Sequence, residues 1–291
     1  MYHAGLILEG GGMKGAYTSG VLDYFLEKEL EFSSCYGVSS GAVNLCSFLS
    51  KQKKRGFKSL TGYMGNSRYC GLYSLITDGN IVNSQFSMDL IPNYLLPFDR
   101  ETYEKYTGKA YAVATNIETG EPEYLPMRKI PKDLRVVQAS TALPLVFQTV
   151  AVNGKLYLDG GIADSIPIRK SILDGNEKNV IILTKEAGYL RKPATGLSLI
   201  RKRYYKYPKI YEVMKERHTT YNETMEYIRR LEKEGKVFVI QPKMKSDVGR
   251  LEKNEEKMQA LYNTGYEDAR ECFDALLTFL NCCTKNGGYK C

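Results

Sequence analysis

Gly5-Leu6-Ile7-Leu8 leads through Glu9 into Gly10-Gly11-Gly12-Met13-Lys14-Gly15, and the reading of this stretch decides the fold. The small and apolar run before the glycines reads as a buried strand. The pattern after Met13 is helical, with Val21, Leu22, Phe25 and Leu26 on one side as far as about Glu29. A glycine loop between strand and helix gathers free backbone N–H groups at a helix N-terminus, where negative charge is favoured. The stretch therefore predicts an α/β fold whose first strand ends in an anion cradle.

About one strand-helix unit further on, Gly37-Val38-Ser39-Ser40-Gly41 follows Ser34-Cys35-Tyr36 and precedes a helical run from Ala42 to Leu49. That is the strand-turn-helix setting of a G-x-S-x-G nucleophile elbow. Gly37 and Gly41 flank Ser39 because a tight turn with an outward side chain tolerates little bulk there. The first loop also satisfies the dinucleotide fingerprint G-x-G-x-x-G through Gly10, Gly12 and Gly15. A dinucleotide unit wants an acid roughly 20 residues on, at the end of its second strand. Here that strand runs into Gly37-Val38-Ser39, and Glu29 and Glu31 fall before it. A P-loop would place Lys and Ser/Thr after Gly15, where Ala16 and Tyr17 stand. Taken in order, the two motifs propose a serine nucleophile beside an oxyanion hole.

A serine nucleophile needs a base, and the chain has two histidines. His3 precedes the first strand, on the order of 20 Å from the glycine loop at ~3.3 Å per residue. His218 lies in a long amphipathic helical pattern. A carboxylate in a shaped setting is the better candidate. Thr149-Val150-Ala151-Val152, Asn153-Gly154 and Lys155-Leu156-Tyr157-Leu158 read as a β-hairpin, with Asn-Gly supplying the positive φ angles of a type I′ turn. Asp159-Gly160-Gly161 follows at once, so Asp159 sits where the chain turns away from the strand. Burial would raise its pKa from ~3.9 and make it a better base for Ser39. The bland reading is that Asp159 only shapes the turn. Asp164 competes, but Asp164-Ser165 before Ile166-Pro167 reads as a helix N-cap.

At these residues the chain resembles the patatin-like phospholipases. The glycine loop of that family, G-G-G-x-[KR]-G, is matched by Gly10 to Gly15, its elbow by Gly37 to Gly41, and its D-G-[AG] by Asp159-Gly160-Gly161. Ala139-Ser140-Thr141-Ala142-Leu143-Pro144 is similar to the stretch the family carries before that aspartate. The resemblance covers about residues 5 to 185. It implies a three-layer α/β/α fold with a mostly parallel central sheet, and a Ser39-Asp159 dyad that hydrolyses acyl esters of lipids without metal or organic cofactor. The oxyanion would be held by N–H groups of Gly11 and Gly12, with Met13 or Ser40 as a further donor. Lys14, a cation in a first helical turn, opposes the helix dipole. It either approaches a substrate phosphate or holds loop carbonyls.

At 291 residues and 43% hydrophobic, the chain can bury one large core. No stretch reaches the ~18 apolar residues of a membrane span, and no charged leader precedes the first strand, so a cytoplasmic protein is expected. Seven cysteines, with Cys272, Cys282, Cys283 and Cys291 near the end, read as reduced thiols. Tyr111 to Ile117, Val180 to Leu183 and Val237 to Ile240 read as strands, and Pro131 to Ser140 as a helix. The late strand rejoins the sheet, so one domain is expected over 1–291, with a core over 5–185 and a basic helical excursion over 186–235. The late strand and terminal helices follow over 236–291. The last helical pattern, with Leu261, Tyr262, Tyr266, Ala269 and Phe273, covers the core.

The net charge of +8 is unevenly placed. From Tyr189 to Lys209, Arg191, Lys192, Arg201, Lys202, Arg203, Lys206 and Lys209 stand without an acid, interleaved with Leu197, Leu199, Ile200, Tyr204, Tyr205 and Tyr207. This mixture suits peripheral contact with an anionic membrane. Nucleic acid would use the same residues but is not the expected partner. Lys51-Gln52-Lys53-Lys54-Arg55 reads as a solvated helix end. The leading function is a phospholipase A or lysophospholipase-type esterase. An acyltransferase with the same dyad and a non-catalytic nucleotide- or lipid-binding protein are the alternatives.

Overall fold

The computed structural model describes residues 1–127 and 134–282. Strand β1 (Tyr2–Leu8) enters a 3-10 turn at Gly12–Lys14 and then helix α1 (Gly15–Glu27). Strand β2 (Phe32–Val38) enters α2 (Ser40–Leu49) with only Ser39 between them. The two strands pair in parallel with Leu8 opposite Gly37, so the glycine loop and Ser39 leave the sheet side by side at one end.

Helices α3 (Arg55–Thr61) and α4 (Leu72–Asp78), a π-helical segment over Phe86–Leu95 and α5 (Arg100–Glu104) lead to strand β3 (Lys109–Asn116). Pro92 sits inside the π-helical segment, where its missing N–H cannot serve a regular ladder. Then come β4 (Pro122–Pro126), α6 (Arg135–Thr141), β5 (Val150–Val152) and β6 (Lys155–Asp159). Asn153 and Gly154 take φ of 49° and 80°, as the expected hairpin turn requires. The chain closes with α7 (Ile168–Leu173), β7 (Asn179–Ile182), α8 (Leu197–Arg203), α9 (Pro208–Lys233), β8 (Val237–Ile240), α10 (Glu255–Glu271) and α11 (Phe273–Asn281).

The strands form one eight-stranded sheet in the order β5-β6-β3-β2-β1-β7-β8, with β4 on β3. From β3 to β8 every neighbour is parallel, and the antiparallel pairs lie at the β4, β5 and β6 end. Alternate residues face opposite layers. Leu6, Leu8, Val180 and Ile182 pack with Val21, Phe25 and Leu45 of α1 and α2, whereas Ile7 and Ile181 pack with Ile168, Tyr221, Met225 and Ile228 of α7 and α9. This is the expected three-layer α/β/α arrangement, and residues 183–236 form the crossover between the neighbouring strands β7 and β8.

Helix α1 is buried from Gly15 to Phe25 rather than on one side, because α10 covers its outer face. A Cβ on Gly20 would stand 2.0 Å from the Tyr262 carbonyl oxygen, and one on Gly265 2.1 Å from that of Tyr17, so the two helices cross backbone to backbone. Tyrosine-carboxylate bonds fasten the crossing: Tyr17 donates to Asp268, Tyr262 to Asp23 and Tyr266 to Glu27.

One expectation needs correction. Arg55 is buried, not solvated: its guanidinium donates to the carbonyls of Leu96 and Pro97 and to Ser47 Oγ, tying α3 to the chain before α5. The α6 helix is described only from Arg135, and residues 131–133 of the expected helix lie outside the described residues. Cys283 and Cys291 also lie outside them, whereas Cys272 is half-buried and Cys282 exposed.

Candidate active site

Ser39 takes φ 54° and ψ −123° between β2 and α2, a conformation that costs a non-glycine residue roughly 1–3 kcal/mol. The surroundings hold it there. Its N–H donates to Ser140 Oγ at 2.9 Å, and its carbonyl accepts the Ala42 N–H at 2.9 Å to start the helix. A Cβ on Gly37 would stand 2.6 Å from Ala42 Cα, and one on Gly41 2.5 Å from the Leu8 carbonyl oxygen, so the glycines make room for the elbow.

Asp159 reaches the same point from another strand. Along β3, β2 pairs with Lys109 to Val113 and β6 with Ala114 to Asn116, while β4 pairs with Tyr111 to Thr115. Because β4 overlaps both stretches it must occupy the opposite edge, and β6 continues along the edge that β2 leaves. Asp159 is thus delivered beside Ser39. Its side chain is 2% exposed; Oδ1 accepts the Gly161 N–H at 2.7 Å, and Oδ2 is buried with no hydrogen-bond partner. Burial pushes its pKa up from the ordinary carboxylate range, against the opposing pull of the Ser39 hydroxyl, the Gly161 N–H and the charges of Arg217 and Arg250.

The glycine loop lies across from this pair, and its amides are differently engaged. Gly11 N–H donates to Ser40 Oγ at 3.0 Å, and Met13 N–H donates to the Arg250 carbonyl at 3.2 Å. Gly12, at φ 59°, lines both cavities beside Ser39, and its N–H has no acceptor among the described residues. Of Gly11, Gly12 and Met13, Gly12 is therefore the one whose N–H is free to meet an anion in this arrangement. Lys14 Nζ reaches the Ser246 carbonyl at 3.4 Å and lines neither cavity.

Ser39 stands between two unlike spaces. One is an apolar pocket of about 140 Å³, lined by Met13, Val43, Leu60, Met88, Val137 and Phe147 among others. The other is a cleft of about 40 Å³ floored by Gly10, Gly11, Asp159 and Gly161 and walled by Lys185, Arg191, Arg217 and Arg250. Gly12, Ser39, Leu143 and Arg250 line both.

Gly10, Gly15, Gly37, Gly41, Gly160 and Gly161 all stand where the motifs placed them, around the ends of β1, β2 and β6. His3 is exposed on β1, and the His218 ring bonds the Lys215 carbonyl within α9; neither lines the cavities. Asp164 accepts the Ile166 N–H and the Tyr124 hydroxyl, and Pro167, not Asp164, precedes the first residue of α7. The four cations carry no motif. Arg191 belongs to the stretch read as membrane-facing, yet it turns inward, whereas Lys192, Arg201, Lys202, Arg203, Lys206 and Lys209 are exposed. Arg217 interrupts the inward stripe Ile210, Met214, Tyr221, Met225, Ile228 of α9, and a charge in an apolar stripe is the signal that could have found it.

The sequence model of the patatin-like phospholipases matches residues 6–171, and the chain belongs to that family. A second model, of a domain of unknown function (DUF6363), matches residues 207–281. Among curated proteins, the uncharacterized protein YjjU of Escherichia coli is 30% identical over 185 residues, 62% of this chain and 51% of that one. A probable lipid hydrolase, 463L of invertebrate iridescent virus 6, is 28% identical over 199 residues, 61% of this chain and 66% of that one. The chain thus spans about half to two thirds of the length of these relatives. The crystal structure of VipD from Legionella pneumophila matches with a TM-score of 0.50 and 15% identity, over 94% of this chain and 67% of that one, which bears on fold alone. Among the described residues no helix is long and apolar enough to cross a membrane.

Proposed function

We propose that this protein is a serine acyl hydrolase of lipid esters, of phospholipase A or lysophospholipase type, working through a Ser39-Asp159 dyad. The observation that carries the reading is the buried, unpartnered Asp159 Oδ2 beside a serine strained into an elbow. In the first step Asp159 takes the Ser39 hydroxyl proton as Oγ attacks the ester carbonyl. The developing oxyanion meets the Gly12 N–H, with Gly11 as a second donor once its bond to Ser40 Oγ is exchanged; each such donor is worth ~10² to 10³ in rate. The acyl chain occupies the apolar pocket, and the alcohol leaves with the proton held by Asp159. Water then cleaves the acyl-enzyme by the same route in reverse. Exposed Lys202, Arg203, Leu199 and Tyr205 on and after α8 support peripheral contact with an anionic membrane.

Labelling with a fluorophosphonate probe, followed by intact mass, tests the dyad. Wild type should gain one adduct at Ser39, Ser39→Ala none, and Asp159→Asn should label far more slowly. A folded, unlabelled wild type in the presence of detergent micelles would overturn the assignment.

A further inference from the structure

The cationic cleft is a feature that ester hydrolysis alone does not require. Lys185 follows β7, Arg191 precedes α8, Arg217 lies on α9 and Arg250 precedes α10, so four separate segments converge on it. All four stand beyond residue 171, where the match to the phospholipase family ends. Their charges are poorly balanced. The carboxylates acting on them are Glu9 and Asp159. Glu9 is already occupied: Oε2 accepts the Thr184 N–H at 2.7 Å and the Thr184 hydroxyl at 3.0 Å, and Oε1 accepts the Tyr221 hydroxyl at 2.9 Å. Arg191 reaches Glu9 only at 4.0 Å, stacks 4.0 Å over the Tyr221 ring, and leaves a buried Nε with no partner. Arg217 spends its Nε on the Gly161 carbonyl. Lys185 Nζ stands 5.5 Å from the centre of the Tyr189 ring, with no hydrogen bond or ion pair among the described residues, and burial and the charge of Lys14 pull its pKa down to about 8.

Four partly buried cations facing two carboxylates leave an excess of positive charge that is costly to hold, and a site that does so is arranged for an anion that arrives from outside. Its place says which part of the substrate carries that anion. With an ester carbonyl at Ser39 and the acyl chain in the apolar pocket, the cleft receives the alcohol side. The geometry points to a phosphate-binding subsite, formed by Lys185, Arg191, Arg217 and Arg250, that selects acyl esters of phosphorylated alcohols with anionic rather than zwitterionic head groups. The guanidinium of Arg191 presents its unpartnered donor to the phosphate oxygens, Lys185 and Arg250 supply charge, and Arg217 holds the floor at Gly161. Asp159, taken up as the base of Ser39, is the one carboxylate among the residues that line the cleft, set against four cations, so a choline or ethanolamine cation meets no further acid there. The inference rests on the hydrolase reading for its orientation, but phosphate binding can be read without turnover.

In a Ser39→Ala background, sn-glycerol 3-phosphate titrated by calorimetry at low ionic strength should bind. Lys185→Met or Arg191→Gln should weaken it about tenfold or more, and Lys185→Arg should restore it. Absence of binding, equal affinity in all variants, or inorganic phosphate binding as tightly as sn-glycerol 3-phosphate would overturn the head-group assignment. The second arm uses the active enzyme on lysophosphatidic acid, lysophosphatidylcholine and monoacylglycerol of one acyl chain in neutral detergent micelles. Lysophosphatidic acid should be preferred in kcat/KM, and Lys185→Met should collapse that preference about tenfold. A preference unchanged by the variant overturns the phosphate subsite and leaves the hydrolase standing. Phosphate binding with no turnover of any ester overturns the hydrolase and leaves the subsite.

Discussion

Val38 and Asp159 pair with consecutive residues of β3, Val113 and Ala114, along the same edge of that strand. The strand that ends just before Ser39 stops where the strand that ends in Asp159 arrives. The proximity of Ser39 and Asp159 is therefore fixed by backbone register, and no side-chain packing has to select it.

Asp159→Asn should separate activity from stability. Loss of the base should lower kcat by ~10² to 10⁴. The same change removes a buried carboxylate whose pKa is raised by burial, so its ionised form opposes folding at neutral pH. The variant should gain roughly 1 kcal/mol in denaturant unfolding at pH 7. The gain should vanish below pH 3.8, where the acid is protonated in folded and unfolded chains alike. A clear loss of stability at neutral pH would contradict the unpartnered state of Oδ2.

The pH profile of ester hydrolysis should have its acid limb above the ordinary carboxylate value of 3.8, because Asp159 must be ionised to take the proton and burial holds it protonated longer. On phosphate-bearing substrates a second limb is expected. Lys185 faces Lys14, Arg191, Arg250 and Glu9, and its proton is lost as pH passes about 8. KM for lysophosphatidic acid should then rise, while KM for a neutral ester stays flat. Steady-state kinetics from about pH 3.5 to about pH 9.5 would reveal either limb.

Val43 lines the apolar pocket and is only half-buried, so Val43→Phe should narrow the pocket without disturbing the sheet. The preferred acyl length should shorten, with long-chain esters losing about tenfold in kcat/KM and short ones little. One methylene in an apolar pocket is worth ~1 kcal/mol, which makes a chain-length series the sensitive measurement.

Lys202 and Arg203 lie exposed at the end of α8 beside Leu199, which is 58% exposed. Lys202→Glu with Arg203→Glu should weaken sedimentation with anionic vesicles by about tenfold or more, at ~1 kcal/mol per charge near such a surface. Turnover of a water-soluble ester should not change. Wild-type binding that is equal on neutral vesicles, or insensitive to salt, would remove this surface from the account.

Much of this was legible along the chain because it is local. Gly10 to Gly15, Gly37 to Gly41, the Asn153-Gly154 turn and Asp159-Gly160 each carry their geometry within a few residues, and the structure sets them around one point. What escaped notice depends on contacts far apart in sequence. The burial of Arg55 follows from carbonyls at Leu96 and Pro97. The engagement of Met13 follows from a carbonyl at Arg250. Lys185, Arg191, Arg217 and Arg250 share no spacing, and only the sheet order and the path of α9 bring them together.

The bond from Met13 N–H to the Arg250 carbonyl joins the glycine loop to a segment more than 200 residues further on, and a Cβ on Gly12 would stand 2.6 Å from that same oxygen. Residues 6–171 match the family, but they do not enclose the site by themselves. Swapping the chain beyond residue 171 between relatives would exchange the cationic wall of the cleft beside Ser39. If the proposed reading holds, head-group preference would travel with the tail, while Ser39, Asp159 and most of the apolar pocket's lining stayed behind.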